Sequence, residues 1–232
     1  PGLFFKVAKE ENLILKIIRV DLGEKLPLLK ASDILLIMGG PMGIKDINES
    51  KYAWLKKELD YIKDALNKDI GIIGVCLGAQ LLAHAAGGDV EILTTGNPSK
   101  PFPEIGWSPI SSSQKNSKNK LINFLEKPIY VLHWHKDRIL LPINAELIAS
   151  SNRCREQFFK IGDRAYGLQF HIETTLEMAK KWIIKDKKIL FSALGPKGVE
   201  IVKDQSINIG VSNEKDRIKF IKILFKELTN KL

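Results

Sequence analysis

Two apolar runs constrain this fold more than anything else in the chain. Asp33-Ile34-Leu35-Leu36-Ile37-Met38 and Asp69-Ile70-Gly71-Ile72-Ile73-Gly74-Val75 show no polar/apolar alternation. A strand with one wet face alternates; one without alternation is buried on both faces, as in a parallel sheet covered by helices. Both runs are far too short to span a bilayer. Each stops at a glycine-bearing turn, Gly39-Gly40-Pro41 after the first and Cys76-Leu77-Gly78 after the second. Between them Trp54, Leu55, Leu59, Ile62 and Leu66 recur at helical period, behind a capping signal read at Asp46 and Glu49. A further helix is read over 81–86, closed by Gly87-Gly88. Upstream, Leu3, Phe4, Val7 and Ala8 predict a helix over 2–11, and 13–20 reads as a strand. The order α-β-β-α-β-α predicts an α/β fold: a doubly wound, mostly parallel sheet flanked by helices.

The rest of the chain is less regular. Short strands are read over 90–93, 105–110, 129–133 and 147–150, and a closing pair over 158–161 and 165–170. The polar stretch 111–120 reads as a solvated loop or hairpin tip. Helices follow over 174–190 and 213–228, with a break at Gly195-Pro196. No repeat or domain boundary interrupts residues 1–232, whose length suits one α/β domain: a motif-bearing part over 2–175 and a helical part over 176–232.

The formal net charge of +9 raises the question of nucleic acid. More than half of the excess lies from Ile172 onward, on amphipathic helices where lysines mix with acids. No aromatic or glycine-rich binding signature accompanies it, so a solvated face is the reading, with neither nucleic acid nor membrane as partner. Two cysteines, Cys76 and Cys154, cannot make a disulfide framework. With no signal peptide visible, a reducing, cytoplasmic setting is expected. No glycine-rich nucleotide loop is present and no cofactor is expected.

Chemistry concentrates at Gly74-Val75-Cys76-Leu77-Gly78-Ala79-Gln80, between a strand and a helix. This is the context of a nucleophile elbow with Cys as the nucleophile: a strained turn projects the side chain, and flanking glycines avoid clashes. The helix N-terminus behind Cys76 favours an ionised sulfur, and the Leu77 N–H faces the place of a tetrahedral oxyanion. A lone cysteine after an apolar strand is more often a small core residue; the glycines tip the balance. A thiolate needs a base and the base an orienter. His171 ends the strand 165–170, where sites assemble in α/β sheets. Glu173, two residues on, lies on the same side of an extended chain and can hold the imidazole. His84 reads as a packing or surface residue. Gly39-Gly40-Pro41 closes another strand and can supply a second oxyanion donor.

These three motifs, in this order, resemble the class I (triad) glutamine amidotransferases, most closely the free-standing proteins similar to the amidotransferase domain of GMP synthase. Glu104-Ile105-Gly106-Trp107, His133-Trp134-His135-Lys136-Asp137 and Leu141-Pro142 add to the resemblance, which runs over about 2–173. It implies a flavodoxin-like fold. It also implies that Cys76 attacks the glutamine side-chain amide, that His171 shuttles the proton and that Glu173 orients His171. Gly40 and Leu77 would form the oxyanion hole, while Gln80 and Gly39 contact substrate. The products would be glutamate and ammonia, by way of a γ-glutamyl thioester. Ile172 stands where the family usually has proline. The family's sheet also opens with a strand before the first helix, whereas this sequence starts at Pro1; the expectation is that the first strand is missing from it.

With no synthetase domain in the sequence, ammonia would pass to a separate subunit. The alternatives are a stand-alone γ-glutamyl hydrolase using the same triad, and an idle ligand-binding or regulatory domain. His133, His135 and Asp137 lack the spacing of a zinc motif, so no metal is expected. They read as strand and loop residues at the pocket rim, with His135 a substrate contact; Glu104 and Trp107 are placed on the same rim. Cys154 reads as structural.

Overall fold

The computed structural model describes residues 1–115 and 117–229. In chain order the elements are α1 (Leu3–Glu10), β1 (Ile34–Ile37), α2 (Ala53–Asn67), β2 (Gly71–Val75) and α3 (Leu77–Ala85). A run of strands follows: β3 (Asp89–Ile92), β4 (Thr94–Thr95), β5 (Lys100–Pro101) and β6 (Glu104–Ile110). After α4 (Lys120–Phe124) come β7 (Ile129–His135), β8 (Asp137–Leu140), β9 (Ala145–Ala149), β10 (Phe158–Ile161) and β11 (Ala165–Leu168). The chain closes with α5 (Leu176–Lys185), α6 (Lys187–Leu194), α7 (Gly198–Gln205) and α8 (Glu214–Thr229).

The two featureless apolar runs sit side by side, as their pattern requires. The main sheet has the order β1-β2-β11-β10-β9. Its first three strands are parallel, β2 pairing with β1 on one side and β11 on the other; β10 and β9 join antiparallel. Side chains of β2 alternate between two cores. Ile73 and Val75 point to α1 and α8, where Phe4, Val7, Phe220 and Leu224 are buried. Ile72 points to the other face, with Leu55, Leu59 and Ile62 of α2 and Leu82 of α3. A ribbon of β6 and β7 stands beside the sheet, linked by the backbone bond from His171 N–H to Leu132 O (2.8 Å). Helices α5, α6 and α7 cover it through Ile183, Leu190 and Val202.

The structure is α/β, as the sequence predicts, and most elements fall within a few residues of expectation. Four do not. The segment 13–20 forms no strand. Leu13 and Leu15 still pack on the core while Ile14 and Ile17 face solvent, but the segment joins no ladder among the described residues. Alternation without a partner gives an extended segment and no ladder. The capping signal at Asp46 also fails for α2: the Asp46 carboxylate accepts from Gly43 N–H (2.8 Å) and pins a 3-10 turn over Ile44–Asn48, and α2 begins only at Ala53. The helix read over 174–190 breaks at Asp186, whose carboxylate accepts from Trp134 Nε1–H. The fourth departure is α7 with the π-turn Ser206–Gly210, unanticipated between Gly195 and the last helix. The stretch 111–120 is largely irregular, with Asn116 outside the described residues.

Candidate active site

The site is built where β1, β2 and β11 end. Cys76 leaves β2 with φ 53° and ψ −108° and starts α3 at once. A non-glycine residue held there costs about 1–3 kcal/mol, so surrounding structure must impose it. Two glycines show how. A Cβ on Gly74 would lie 2.5 Å from Gly78 O, and one on Gly78 would lie 2.3 Å from Ile37 O. Helix α3 therefore rests directly on the backbones of β2 and β1, and the turn between strand and helix has no room to relax. The Cys76 N–H donates to Leu168 O of β11 at 2.7 Å, completing the clamp.

Cys76, His171 and Glu173 come together as expected. Glu173 Oε1 accepts from His171 Nδ1 at 2.9 Å, and Cys76 lies close enough to the imidazole to influence its charge. With Nδ1 committed to Glu173, Nε2 is the nitrogen that faces sulfur. Burial by itself would lower the imidazole pKa. The charges of Glu173 and Cys76, and hydrogen bonds with both, outweigh it and push His171 up to about 10. The His171 ring also packs edge-on against Trp182 of α5, 4.7 Å between centroids.

Gly39 lies over this pair. A Cβ there would come within 2.9 Å of His171 Cε1 and 3.2 Å of Cys76 Cβ. Gly40 neighbours Leu77, with a hypothetical Cβ 3.3 Å from its Cδ2. The two expected oxyanion donors are thus neighbours, and the Leu77 N–H, in the first turn of α3, has no partner within the helix. Gln80 is buried, and its amide donates to Gln169 Oε1 at 3.3 Å. Ile172 is fully buried in the core, so the departure from proline is absorbed by packing.

The rim expected around Glu104, Trp107, His133 and His135 is instead interior: all four are at most 5% exposed. Glu104, His133 and His135 turn toward Phe170 and Gln157, with the Nε2 of His135 meeting Glu104 and Gln157, while Trp107 is covered from the other face by Ser206 and Arg217. Burial pushes the His133 imidazole down to about 4. At Glu104 burial opposes ionisation, but the neighbouring His135 and His133 outweigh it and hold its carboxyl below the ordinary range. Cys154 is buried, and that burial raises its thiol to about 12. His84 is partly exposed, near Asp89.

Two residues near the site escape a reading of motifs. Trp182 has the spacing of an ordinary core residue. Arg217 of α8 is 1% exposed. It donates to Thr174 O (3.2 Å) and Gly210 O (2.8 Å) and stacks on Trp107. Burial lowers its guanidinium to about 10 against the charges of Glu214 and Glu173. A signal was present: Arg217 shares one helical face with Ile221, Leu224 and Leu228, a charge inside an apolar stripe.

The family profile described as glutamine amidotransferase class-I matches residues 6–190. The chain belongs to the class I glutamine amidotransferase family. It is 30% identical over 217 residues to a glutamine amidotransferase-like protein, YfeJ, of Salmonella typhimurium, covering 92% of this chain and 88% of that one. It is 33% identical over 140 residues to a chain of the glutamine-hydrolysing GMP synthase of Methanobrevibacter smithii, covering 60% of this chain and 63% of that one. Among solved structures, a glutamine amidotransferase from Thermotoga maritima superposes with a TM-score of 0.80 at 29% identity, covering 98% of this chain and 92% of that one. The family placement thus agrees with the architecture and with the motifs that clothe it. Among the described residues no helix is long and apolar enough to cross a membrane.

Proposed function

We propose that this amidotransferase releases ammonia from the side-chain amide of glutamine by covalent catalysis at Cys76. The observation that carries the reading is Cys76, set on a strained strand-to-helix turn whose glycines leave it no freedom, beside the hydrogen-bonded pair His171–Glu173. With His171 raised to about 10, its imidazole holds a proton at neutral pH and favours an ionised sulfur beside it. The thiolate attacks the amide carbon, and the oxyanion that forms lies between the N–H groups of Gly40 and Leu77. Such donors are worth about 10²–10³ each in kcat. His171 gives its Nε2 proton to the departing amine, which leaves as ammonia, and the γ-glutamyl thioester remains. His171, now neutral, takes a proton from water; hydroxide adds to the thioester carbonyl, and collapse returns glutamate and the thiolate. Glu173 keeps the imidazole in the tautomer and orientation both halves require. Gln80 and Gly39 border the site from α3 and β1 and would contact the substrate's polar groups.

The similarity to separately encoded chains of glutamine-hydrolysing GMP synthases supports a further part of the reading: the ammonia passes to a synthetase carried on a separate chain. The test is a glutaminase assay on the intact protein and on Cys76→Ala, run beside a panel of γ-glutamyl amides and peptides. Turnover of glutamine that disappears with Cys76 supports the proposal. Turnover that survives the substitution overturns the mechanism, and strong preference for a γ-glutamyl peptide replaces the substrate.

A further inference from the structure

Behind His171 the β6–β7 ribbon buries a second cluster of functional groups that the proposed reaction does not use. Glu104 Oε2 lies 3.3 Å from His135 Nε2 and 3.6 Å from His133 Nδ1, and the three atoms all fall within 4.8 Å of one another. The opposite nitrogens of both rings are already committed. His135 Nδ1 donates to Asp137 O at 2.9 Å, and His133 Nε2 donates to Ser108 O at 3.4 Å. A carbonyl oxygen only accepts, so those nitrogens carry the ring hydrogens. With each ring in the neutral form that binds metal, what remains on the inner side is two lone pairs facing a carboxylate oxygen.

Three electron-rich atoms pointed at one another repel unless a positive centre lies between them. The Gln157 amide answers part of this. Its Nε2 donates to Glu104 Oε2 (2.7 Å) and lies 3.3 Å from both His135 Nε2 and Ser151 Oγ. Two amide hydrogens cannot serve three acceptors. His133 Nδ1 receives none and is left buried without a partner, and so is Gln157 Oε1.

We infer that Glu104, His133 and His135 form a structural site for a divalent transition metal, with zinc as the ion their donors suit. Zinc bound to imidazole and carboxylate at about 2.0–2.1 Å in a tetrahedron places its ligand atoms about 3.3–3.4 Å apart, close to both measured separations from Glu104. The backbone carbonyls behind the rings are the outer partners that fix metal-binding histidines in tautomer and orientation. A half-turn of the Gln157 amide exchanges Nε2 for Oε1 and supplies a fourth, neutral ligand, using the oxygen that now has no partner. Glu104, His133 and His135 are 3%, 0% and 5% exposed, which leaves no open position for substrate. The ion would be structural. It would tie β6 to β7 beside Leu132, whose carbonyl holds the His171 N–H.

The test is metal content. The protein carrying Cys76→Ala, which removes the one thiolate able to hold zinc with His171, is produced in zinc-supplemented medium and measured by mass spectrometry. The expected result is one zinc per chain, with zinc–nitrogen and zinc–oxygen scattering and no sulfur in X-ray absorption. Glu104→Gln keeps the shape of the side chain and removes its charge; added to Cys76→Ala it should lower zinc content at least tenfold, and His133→Ala should do the same. Protein with its zinc should also melt about 5–10 °C above protein depleted of it. Zinc-free Cys76→Ala protein overturns the inference and leaves a shared proton as the positive centre. Zinc content indifferent to Glu104→Gln, or a sulfur ligand, overturns it equally.

Discussion

Gly78→Ala tests whether the packing of α3 on β1 sets the candidate site. The added methyl would lie 2.3 Å from Ile37 O and 2.8 Å from Ile37 C, both backbone atoms. Ordinary contact begins near 3.4 Å, so helix and strand must part by about 1 Å, a forced overpacking that costs about 1–3 kcal/mol. At about 2–4 °C per kcal/mol for a chain of this size, the melting temperature should fall by about 2–12 °C. The functional loss should be larger than that suggests. Leu77 rides on α3 and Gly40 on the end of β1, so the movement pulls apart the two proposed oxyanion donors. A misplacement of that size costs about 10²-fold in rate. The assay is glutamine hydrolysis, with a melting curve taken on the same sample and Gly43→Ala as control, because a Cβ at Gly43 meets only the Asp46 carboxylate at 4.0 Å. A folded Gly78→Ala protein with kcat/KM within twofold of the parent would refute the reasoning, since the clearance would then have no bearing on the site.

Glu173→Gln keeps an oxygen for His171 Nδ1 but removes the charge, so the imidazole should fall from about 10 and glutamine turnover should drop at least 10²-fold. Because His171 is raised on folding, its contribution to stability is complete below its ordinary value near 6.5 and is lost as pH climbs through about 10. Melting curves across that window should decline more steeply for the parent than for Glu173→Gln, and equal slopes would contradict the assignment. Cys154, buried and raised to about 12, should stay unmodified at pH 8 while Cys76 is alkylated; peptide mass mapping after brief iodoacetamide treatment decides this, and equal labelling counts against an activated Cys76. Arg217→Met leaves the carbonyls of Thr174 and Gly210 unpaired and should cost about 2–4 kcal/mol, read as a lower urea midpoint. An unchanged midpoint would show that Arg217 does not anchor the Glu173 loop.

The α/β fold was legible because its signals are local. A strand buried on both faces announces itself by lacking alternation, and a helix by its period. The elbow was legible for the same reason: Gly74, Cys76 and Gly78 are neighbours in sequence, and the clearance that demands glycine at position 74 arises within the turn, although the one at position 78 is set by Ile37 of β1. His171 and Glu173 could be joined to them because both follow the end of a strand parallel to β2.

Other features depend on distant partners and have no local signal. Residues 13–20 read as a strand, yet whether they form one depends on a neighbour across the sheet. Glu104 and the His133–His135 pair looked like rim residues, because nothing in a strand tells which of its faces another layer will cover. Arg217 and Trp182 reach the site only because α5 and α8 fold back over it. The sequence by itself determined the strand–turn–helix that holds Cys76 and the residues beside it, since bonded geometry and short-range sterics suffice there. Only the tertiary structure decided what surrounds His171 and Glu173 and what lies buried behind them, because burial and electrostatics are set by whatever packs nearby, however far away in the chain.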